Sequence, residues 1–137
     1  MGGLMSLIKA NDLQTTTGGI PTVKGQKLIP TAWVNFNGTG TVAIRDSENV
    51  SSITDNGAGE YTINFSTTMA NANYTPITGT WYGSDTSNPL LAVSGIRRGH
   101  TPTTTTLRIQ ISNAVWDSGS SGTDINGIYV IVMGGQA

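Results

Sequence analysis

The sequence contains no cysteine, so it can form neither a disulfide nor a thiolate metal site. Its single histidine, His100, cannot supply the several imidazole ligands of a typical zinc site. No stretch approaches the roughly 20 consecutive apolar residues that a membrane helix needs. The apolar run between Met1 and Lys9 is too short to predict a secretion signal. We therefore expect no cofactor and no membrane insertion, and we assign no metal ligand.

Charged residues are also scarce. They make up 11% of the 137 residues, and seven basic side chains nearly balance eight acidic ones. A nucleic-acid-binding module needs a basic face to neutralise phosphates, so this balance argues against nucleic acid as a partner. A glycosidase needs two carboxylates that face each other across a sugar. Asp46 and Glu48 are the closest pair in the sequence, and they are more typical of a solvated strand end.

Other signatures of catalysis are missing from the sequence. No nucleophile-elbow motif occurs that could use His100 as a base, and no glycine-rich phosphate loop precedes a helix. Asp55 and Asp117 occur in loops whose oxygens could bind calcium, but the EF-hand spacing is absent and turn chemistry explains both. We predict a protein that is not an enzyme and has no catalytic residues; whether a loop binds an ion stays open.

Residues suited to strands and turns dominate the composition. Thr, Ser, Asn and Gly account for 62 of the 137 residues, and good helix formers are few. The hydrophobic residues, 36% of the chain, are clustered and the net charge is only −1, which argues against a disordered chain. A chain of this length typically buries about 68% of its extended-chain surface. We expect one β-rich domain with a true core.

Short runs of strand-forming residues alternate with turn residues from residue 31 onward. Alternation is strict over 60–65 and 104–112, Asn56-Gly57 lies in a strong reversal, and 128–133 is apolar on both faces, as in a central strand or one buried between subunits. The pattern predicts an all-β fold, an antiparallel β-sandwich of about eight strands, with the jelly roll as one form of it. The predicted strands are 32–36, 41–47, 50–54, 60–65, 74–82 (with Pro76 indicating an edge or a strand start), a short run over 90–93 that Ser94-Gly95 interrupts before Ile96, 104–112 and 128–133.

Residues 1–30 differ from the domain over 31–137. Gly and Pro interrupt 13–30 too often for a long element, and all three lysines of the chain fall before residue 31. We predict an extended arm for attachment or oligomerisation. Because an isolated arm cannot recover its backbone entropy, it must lie on the domain, wrap a neighbouring subunit or dock into another protein; the alternative is a disordered tail. The predicted docking residues are Leu7, Ile8, Leu13, Ile20, Val23, Leu28 and Ile29.

The strongest candidate for ligand recognition lies within 80–103. Trp81 and Tyr82 precede a polar loop, and the only basic cluster of the domain follows it, at Arg97, Arg98 and His100. Aromatic rings and guanidinium groups stack on and hydrogen-bond to ligands at exposed sites. This combination suits an acidic or neutral glycan. The alternative is that Trp81 packs in the core or on an edge strand while the arginines are solvated.

One long string of sequence carries a resemblance to a known family. It reads Ala-Trp-Val-Asn-Phe-Asn-Gly-Thr-Gly-Thr-Val-Ala-Ile-Arg over 32–45, continues through 49–65, and ends with Met-Ala-Asn-Ala-Asn-Tyr over 69–74. About a third of the chain thus resembles a domain of tail-fibre and fibre-like virion proteins of tailed bacteriophages. No shaft, coiled coil or β-helix repeat precedes it, which favours a small accessory or tip protein over a long fibre.

The resemblance implies a structural virion protein that is made in the host cytoplasm and forms a homotrimer on the tail or capsid surface. The arm would attach it to other virion proteins, and the cluster around Trp81 would bind host surface polysaccharide. Two alternatives stay open. A capsid decoration protein would pin neighbouring capsomers with its arm, and a stand-alone carbohydrate-binding module would be a soluble monomer. The resemblance transfers no catalytic residue.

Overall fold

The computed structural model describes residues 22–23, 26–27, 30–81, 92–113 and 122–135. These ranges contain ten strands and no helix. The strands are β1 (Thr22–Val23), β2 (Gln26–Lys27), β3 (Ala32–Asn37), β4 (Ala43–Glu48), β5 (Val50–Gly57), β6 (Glu60–Phe65), β7 (Tyr74–Trp81), β8 (Ala92–Ile96), β9 (Thr106–Asn113) and β10 (Gly127–Gly134).

Two four-stranded antiparallel sheets pack face to face. Sheet 1 has the order β4-β3-β10-β7, sheet 2 has the order β5-β6-β9-β8, and β1 pairs with β2 in a separate hairpin. The antiparallel β-sandwich predicted from the sequence is therefore confirmed. Three of the six pairings within the sandwich join strands that are adjacent in the chain. The other three pairings, β3–β10, β7–β10 and β6–β9, join strands that are distant in the chain, and β6–β9 is nested within β3–β10.

The core lies between the inner faces of the two sheets. It forms because every second residue of β3, β6 and β9 is apolar and points inward. Phe36 and Tyr61 meet edge to face with their ring centroids 5.2 Å apart, and Phe65 meets Tyr74 in the same way at 5.7 Å. The buried apolar residues are Ala32, Val34, Phe36, Val50, Tyr61, Ile63, Phe65, Met69, Tyr74, Leu107, Ile109, Ile111, Ile125, Ile128, Val130 and Val132.

Side-chain hydrogen bonds join the edges of the two sheets. On one side, the hydroxyl of Ser94 in β8 donates to that of Thr78 in β7 at 2.8 Å, and the hydroxyl of Thr80 donates to the carbonyl of Ala92 at 3.3 Å. On the other side β4 passes to β5 through Asn49, which has a φ of 54°. The Asn49 side chain accepts the N–H of Thr67 and donates to the carbonyl of Thr31, so it fixes this corner.

The strand predictions agree closely with the structure. Strand β7 is an edge strand, as Pro76 indicated, and β10 lies between β3 and β7, as expected for a strand that is apolar on both faces. Residues 92, 93 and 96 of the runs predicted at 90–93 and 96 belong to the single strand β8, and residues 90 and 91 lie outside the described residues. Tyr82 and the predicted docking residues Leu7, Ile8, Leu13, Ile20, Leu28 and Ile29 lie outside the described residues, whereas Val23 belongs to β1. Within the described ranges, no helix has the length and apolar character to cross a membrane.

Candidate functional site

Arg97, the first residue of the basic cluster, takes part in an ion-pair bridge on the outer face of sheet 2. The N–H of Arg97 donates to the carbonyl of Arg108 at 3.0 Å, which holds the two arginines side by side just past β8. Glu60 on β6 receives both of them, because its Oε1 lies 2.5 Å from Arg97 Nε and its Oε2 accepts a hydrogen bond from Arg108 Nη2 at 2.8 Å. Arg97 is therefore engaged within the protein.

The charge state of Glu60 follows from this bridge. Partial burial by itself raises the pKa of a carboxyl group, but hydrogen bonds from Arg108 and Arg97 and their positive charges outweigh it. The pKa of Glu60 consequently lies below its ordinary value of 4.5. At neutral pH the bridge of Glu60, Arg97 and Arg108 holds one carboxylate between two guanidinium groups, so these three residues together have a net charge of +1.

Arg98 and His100 lie in the turn that follows Arg97. The N–H of His100 donates to the carbonyl of Arg97 at 3.0 Å, and Arg97 Nη1 donates to the carbonyl of Arg98 at 3.1 Å. Gly99, between Arg98 and His100, has a φ of 79°, which is readily adopted only by glycine. The side chains of Arg98 and His100 are exposed. The structure thus brings Arg97, Arg98 and His100 together, as the sequence predicted.

Trp81 lies far from this basic turn. It pairs with Gly127 on the outer face of sheet 1, whereas Arg97 extends from the outer face of sheet 2. The bond between Ser94 and Thr78 sets the alignment of β7 with β8, and it places Arg97 about six residues, or about 20 Å, from Trp81 along the strands. The described members of the predicted glycan site therefore form two separate surfaces.

The outer face of sheet 2 is otherwise a network of small polar side chains. Asn64 Nδ2 lies within 3.1 Å of the hydroxyls of both Ser52 and Thr54, and Asn56 Nδ2 donates to the hydroxyl of Thr62 at 2.9 Å. These cross-strand contacts join β5 to β6 and leave a hydrophilic surface that needs no protein cover.

The outer face of sheet 1 is apolar instead. Trp33 of β3 lies beside Ile131 of β10, and Tyr129 of β10 lies beside Asn35. Together with Pro30, Val34 and Val130, these residues line a groove of about 300 Å³. Tyr129 and Ile131 are 39% and 40% exposed. The doubly apolar pattern of 128–133 signalled this face, but the sequence did not single out its residues.

Four large apolar side chains are also exposed on β7 and β8, the strands that lie side by side at one edge of the sandwich. Ile77 and Trp81 on β7 are 56% and 55% exposed, and Val93 and Ile96 on β8 are 49% and 43% exposed. Ile77 and Trp81 point outward from sheet 1, whereas Val93 points outward from sheet 2, so these side chains flank the edge on its two sides. We call the four residues together the β7–β8 edge surface. Among the described residues, each of these strands pairs with a neighbouring strand on one side only. The sequence singled out Trp81 and, through Pro76, the edge position of β7, but it did not identify Ile77, Val93 and Ile96 as exposed. The alternating pattern shows which residues share a face, and it does not show that β8 lies at an edge.

The described residues hold no group of three His, Asp or Glu side chains that could bind a metal ion. Asp46 and Glu48 are exposed on β4, where they pair with Asn35 and Trp33. Comparisons with protein-family models, with curated proteins and with solved structures gave no match to this chain.

Proposed function

We propose that this protein is a non-enzymatic structural subunit of a tailed-bacteriophage virion, a fibre or fibre-tip component that acts as a homotrimer. The observation that carries the proposal is the β7–β8 edge surface. Its residues Ile77, Trp81, Val93 and Ile96 expose large apolar side chains on two strands that, among the described residues, form the edges of their sheets. Such a surface favours an assembly protein over a free monomer, because natural edge strands are usually short, charged or covered.

A cyclic trimer would cover this surface in every subunit. In a cyclic assembly the edge of one subunit contacts a different surface of the next, and three such contacts close the ring. The resemblance over residues 31–75 to fibre and fibre-like proteins supports the same assembly, and it now corresponds to the strands β3 to β6 and the start of β7. The segment 1–30 would attach the trimer to other virion proteins on the tail or capsid surface.

Binding of host surface polysaccharide belongs to this proposal. Because Glu60 engages Arg97, the groups left to contact a glycan at the basic turn are the exposed side chains of Arg98 and His100. Trp81, about 20 Å away on the other sheet, would serve as a separate stacking surface. A capsid decoration role is the second candidate, since its assembly would need the same edge contact but no glycan.

The oligomeric state tests the assembly part directly. One chain has a mass of 14.3 kDa, so light scattering should give about 43 kDa. Ile77→Lys should reduce the mass to that of one chain. Ile44→Lys is the matched control, since Ile44 is an exposed isoleucine on β4, at the opposite edge of sheet 1, and this variant should stay trimeric. A monomeric wild-type protein would exclude the trimer and favour a stand-alone binding module.

Immunogold labelling of phage particles that carry the protein tests its location. Gold at the tail or on fibres would support the fibre proposal. Gold distributed over the capsid would instead identify a decoration protein, and it would remove the reason to expect glycan binding at Arg98 and His100.

A further inference from the structure

The chain enters the domain across the apolar groove of sheet 1. Trp33 and Asn35 point outward on β3, so strict alternation would place the side chain of residue 30 on the core side. Pro30 nevertheless lines the outer groove together with Trp33 and Ile131. The backbone bends at Thr31, whose N–H donates to the carbonyl of Val132 at 2.8 Å and whose hydroxyl donates to that of Gly134 at 2.5 Å. This anchored bend places Pro30 at the outer face.

A hairpin that needs a surface lies just before this point. Strands β1 and β2 pair through Thr22 with Lys27 and Val23 with Gln26, in a two-stranded sheet that joins neither sheet of the sandwich. A two-stranded hairpin is at best marginally stable in water unless it packs on something. Pro30, three residues after the end of β2, lines the apolar groove of sheet 1.

The charge of residues 1–30, which include the β1–β2 hairpin, is opposite to that of the domain. Residues 1–30 carry three lysines and one aspartate, whereas 31–137 carries four arginines and seven acidic residues. Residues 1–30 thus have a formal charge of +2, and residues 31–137 have a formal charge of −3. Asp46 and Glu48 stand exposed on β4 beside the groove residues Asn35 and Trp33. Lysines of the segment would face these carboxylates along the rim of the groove.

The size of the face argues against a second copy as its occupant. Four strands about 4.8 Å apart and six residues long, at about 3.3 Å each, span about 19 by 20 Å, or roughly 380 Å² of flat surface. A stable interface needs about 800 Å² from each partner. A segment joined to Pro30 requires no such area, because its tether gives it an effective concentration in the millimolar range.

We infer that the segment 22–29, which carries the β1–β2 hairpin, packs as a strap into the groove of its own subunit, against Trp33, Tyr129 and Ile131. The strap would hold residues 1–21 at a fixed place on the domain, from which they can reach a partner. This inference is independent of the trimer and of the virion assignment, since it concerns contacts within one chain.

Paramagnetic broadening tests the inference in the full-length protein. Because the chain has no cysteine, Gln26→Cys provides a single site in β2 for a nitroxide label. The indole N–H signal of Trp33 should disappear in the oxidised sample and return on reduction, whereas the methyl signals of Val93, on the outer face of sheet 2, should stay far stronger. A Trp33 signal as strong as that of Val93 would overturn the inference.

A mixed sample shows which subunit supplies the strap. Spin-labelled chains without isotope are mixed with isotope-labelled chains that lack the cysteine, after dissociation and reassembly. We expect the Trp33 signal to persist in this mixture. Its loss would mean that the segment crosses to a neighbour, and it would overturn the inference as stated.

Two substitutions separate the strap from the trimer. Ile131→Lys places a charge in the groove and should restore the Trp33 signal in the spin-labelled chain. Ile77→Lys alters the neighbouring residue outside the groove, so the signal should stay lost even when light scattering reports a monomer. Broadening of the Trp33 signal in a protein that light scattering shows to be monomeric would support the strap and exclude the trimer. A trimer whose Trp33 signal is not broadened would support the trimer and exclude the strap.

Discussion

The hydroxyl of Tyr61 lies 2.8 Å from Oδ1 of Asp124, a residue 63 positions later in the chain. The same carboxylate oxygen accepts the N–H of Gly59 at 2.7 Å, and the Tyr61 hydroxyl also lies 3.0 Å from the carbonyl of Gly38. Asp124 thus ties the loop before β10 to the turn between β5 and β6. This polar contact closes one end of the sandwich above the ring of Tyr61.

Tyr61→Phe should lower the free energy of unfolding by about 1.5–3 kcal/mol, the usual contribution of a hydrogen bond to a charged acceptor. The ring stays in the core, so no cavity forms. Tyr129→Phe is the matched control, because Tyr129 is 39% exposed on the outer face of sheet 1 and should change stability by less than about 0.5 kcal/mol. Urea unfolding followed by tryptophan fluorescence measures both; equal losses in the two variants would contradict the assigned role of Asp124.

Gly59 provides a second test of the same turn. Its φ is +67°, and a Cβ at this position would overlap the backbone carbonyl oxygen of Ile111, which cannot move away cheaply. Gly40 has a similar φ of +62° but no atom within 4 Å of a Cβ. Gly40→Ala should therefore cost about 1 kcal/mol, and Gly59→Ala at least twice as much, in the same urea experiment.

The sequence predicted Tyr61 as a core residue but not its partner. Alternation over 60–65 identifies the inward face of β6 from local information alone. Asp124 looks like an ordinary turn residue, because its role depends on where the chain returns after 60 further residues. The basic turn shows the same division. Arg97, Arg98 and His100 are close in the sequence and stay together, whereas the separation of Trp81 depends on the packing of two sheets.

Stability at alkaline pH should depend on Tyr74. Burial raises the pKa of its hydroxyl from 10 to about 12, and the hydroxyl donates to the carbonyl of Thr103 at 2.9 Å. Because the folded protein disfavours the phenolate, the stabilisation is complete below pH 10 and is lost as the pH rises through 12. Tyr74→Phe should show a shallower loss of stability than wild type between these values. Identical slopes in urea titrations at several pH values would contradict this origin.

Stability at acid pH should depend on Glu60. Its pKa lies below 4.5 in the folded protein because Arg108 and Arg97 outweigh the opposing effect of burial. The stabilisation is therefore complete above the unfolded pKa and is lost as the pH falls through the lower, folded value. Glu60→Gln should flatten the pH dependence of the unfolding midpoint in this range. An unchanged pH dependence of the midpoint in Glu60→Gln would contradict this origin.

The two arginines beside Glu60 should respond differently to substitution. Arg97→Ala removes one side of the ion-pair bridge, so it should lower the unfolding midpoint and reduce the acid dependence that Glu60 causes. Arg98→Ala and His100→Ala alter exposed side chains and should leave the midpoint within the error of wild type.

If the basic turn binds host polysaccharide, Arg98→Ala should nevertheless reduce retention of the protein on host cells, and more strongly at low salt, where charge attraction is screened less. Trp81→Ala then probes the separate surface on sheet 1. Unchanged retention in Arg98→Ala and His100→Ala, with loss in Trp81→Ala alone, would move glycan binding to sheet 1, and unchanged retention in all three would remove it from both surfaces.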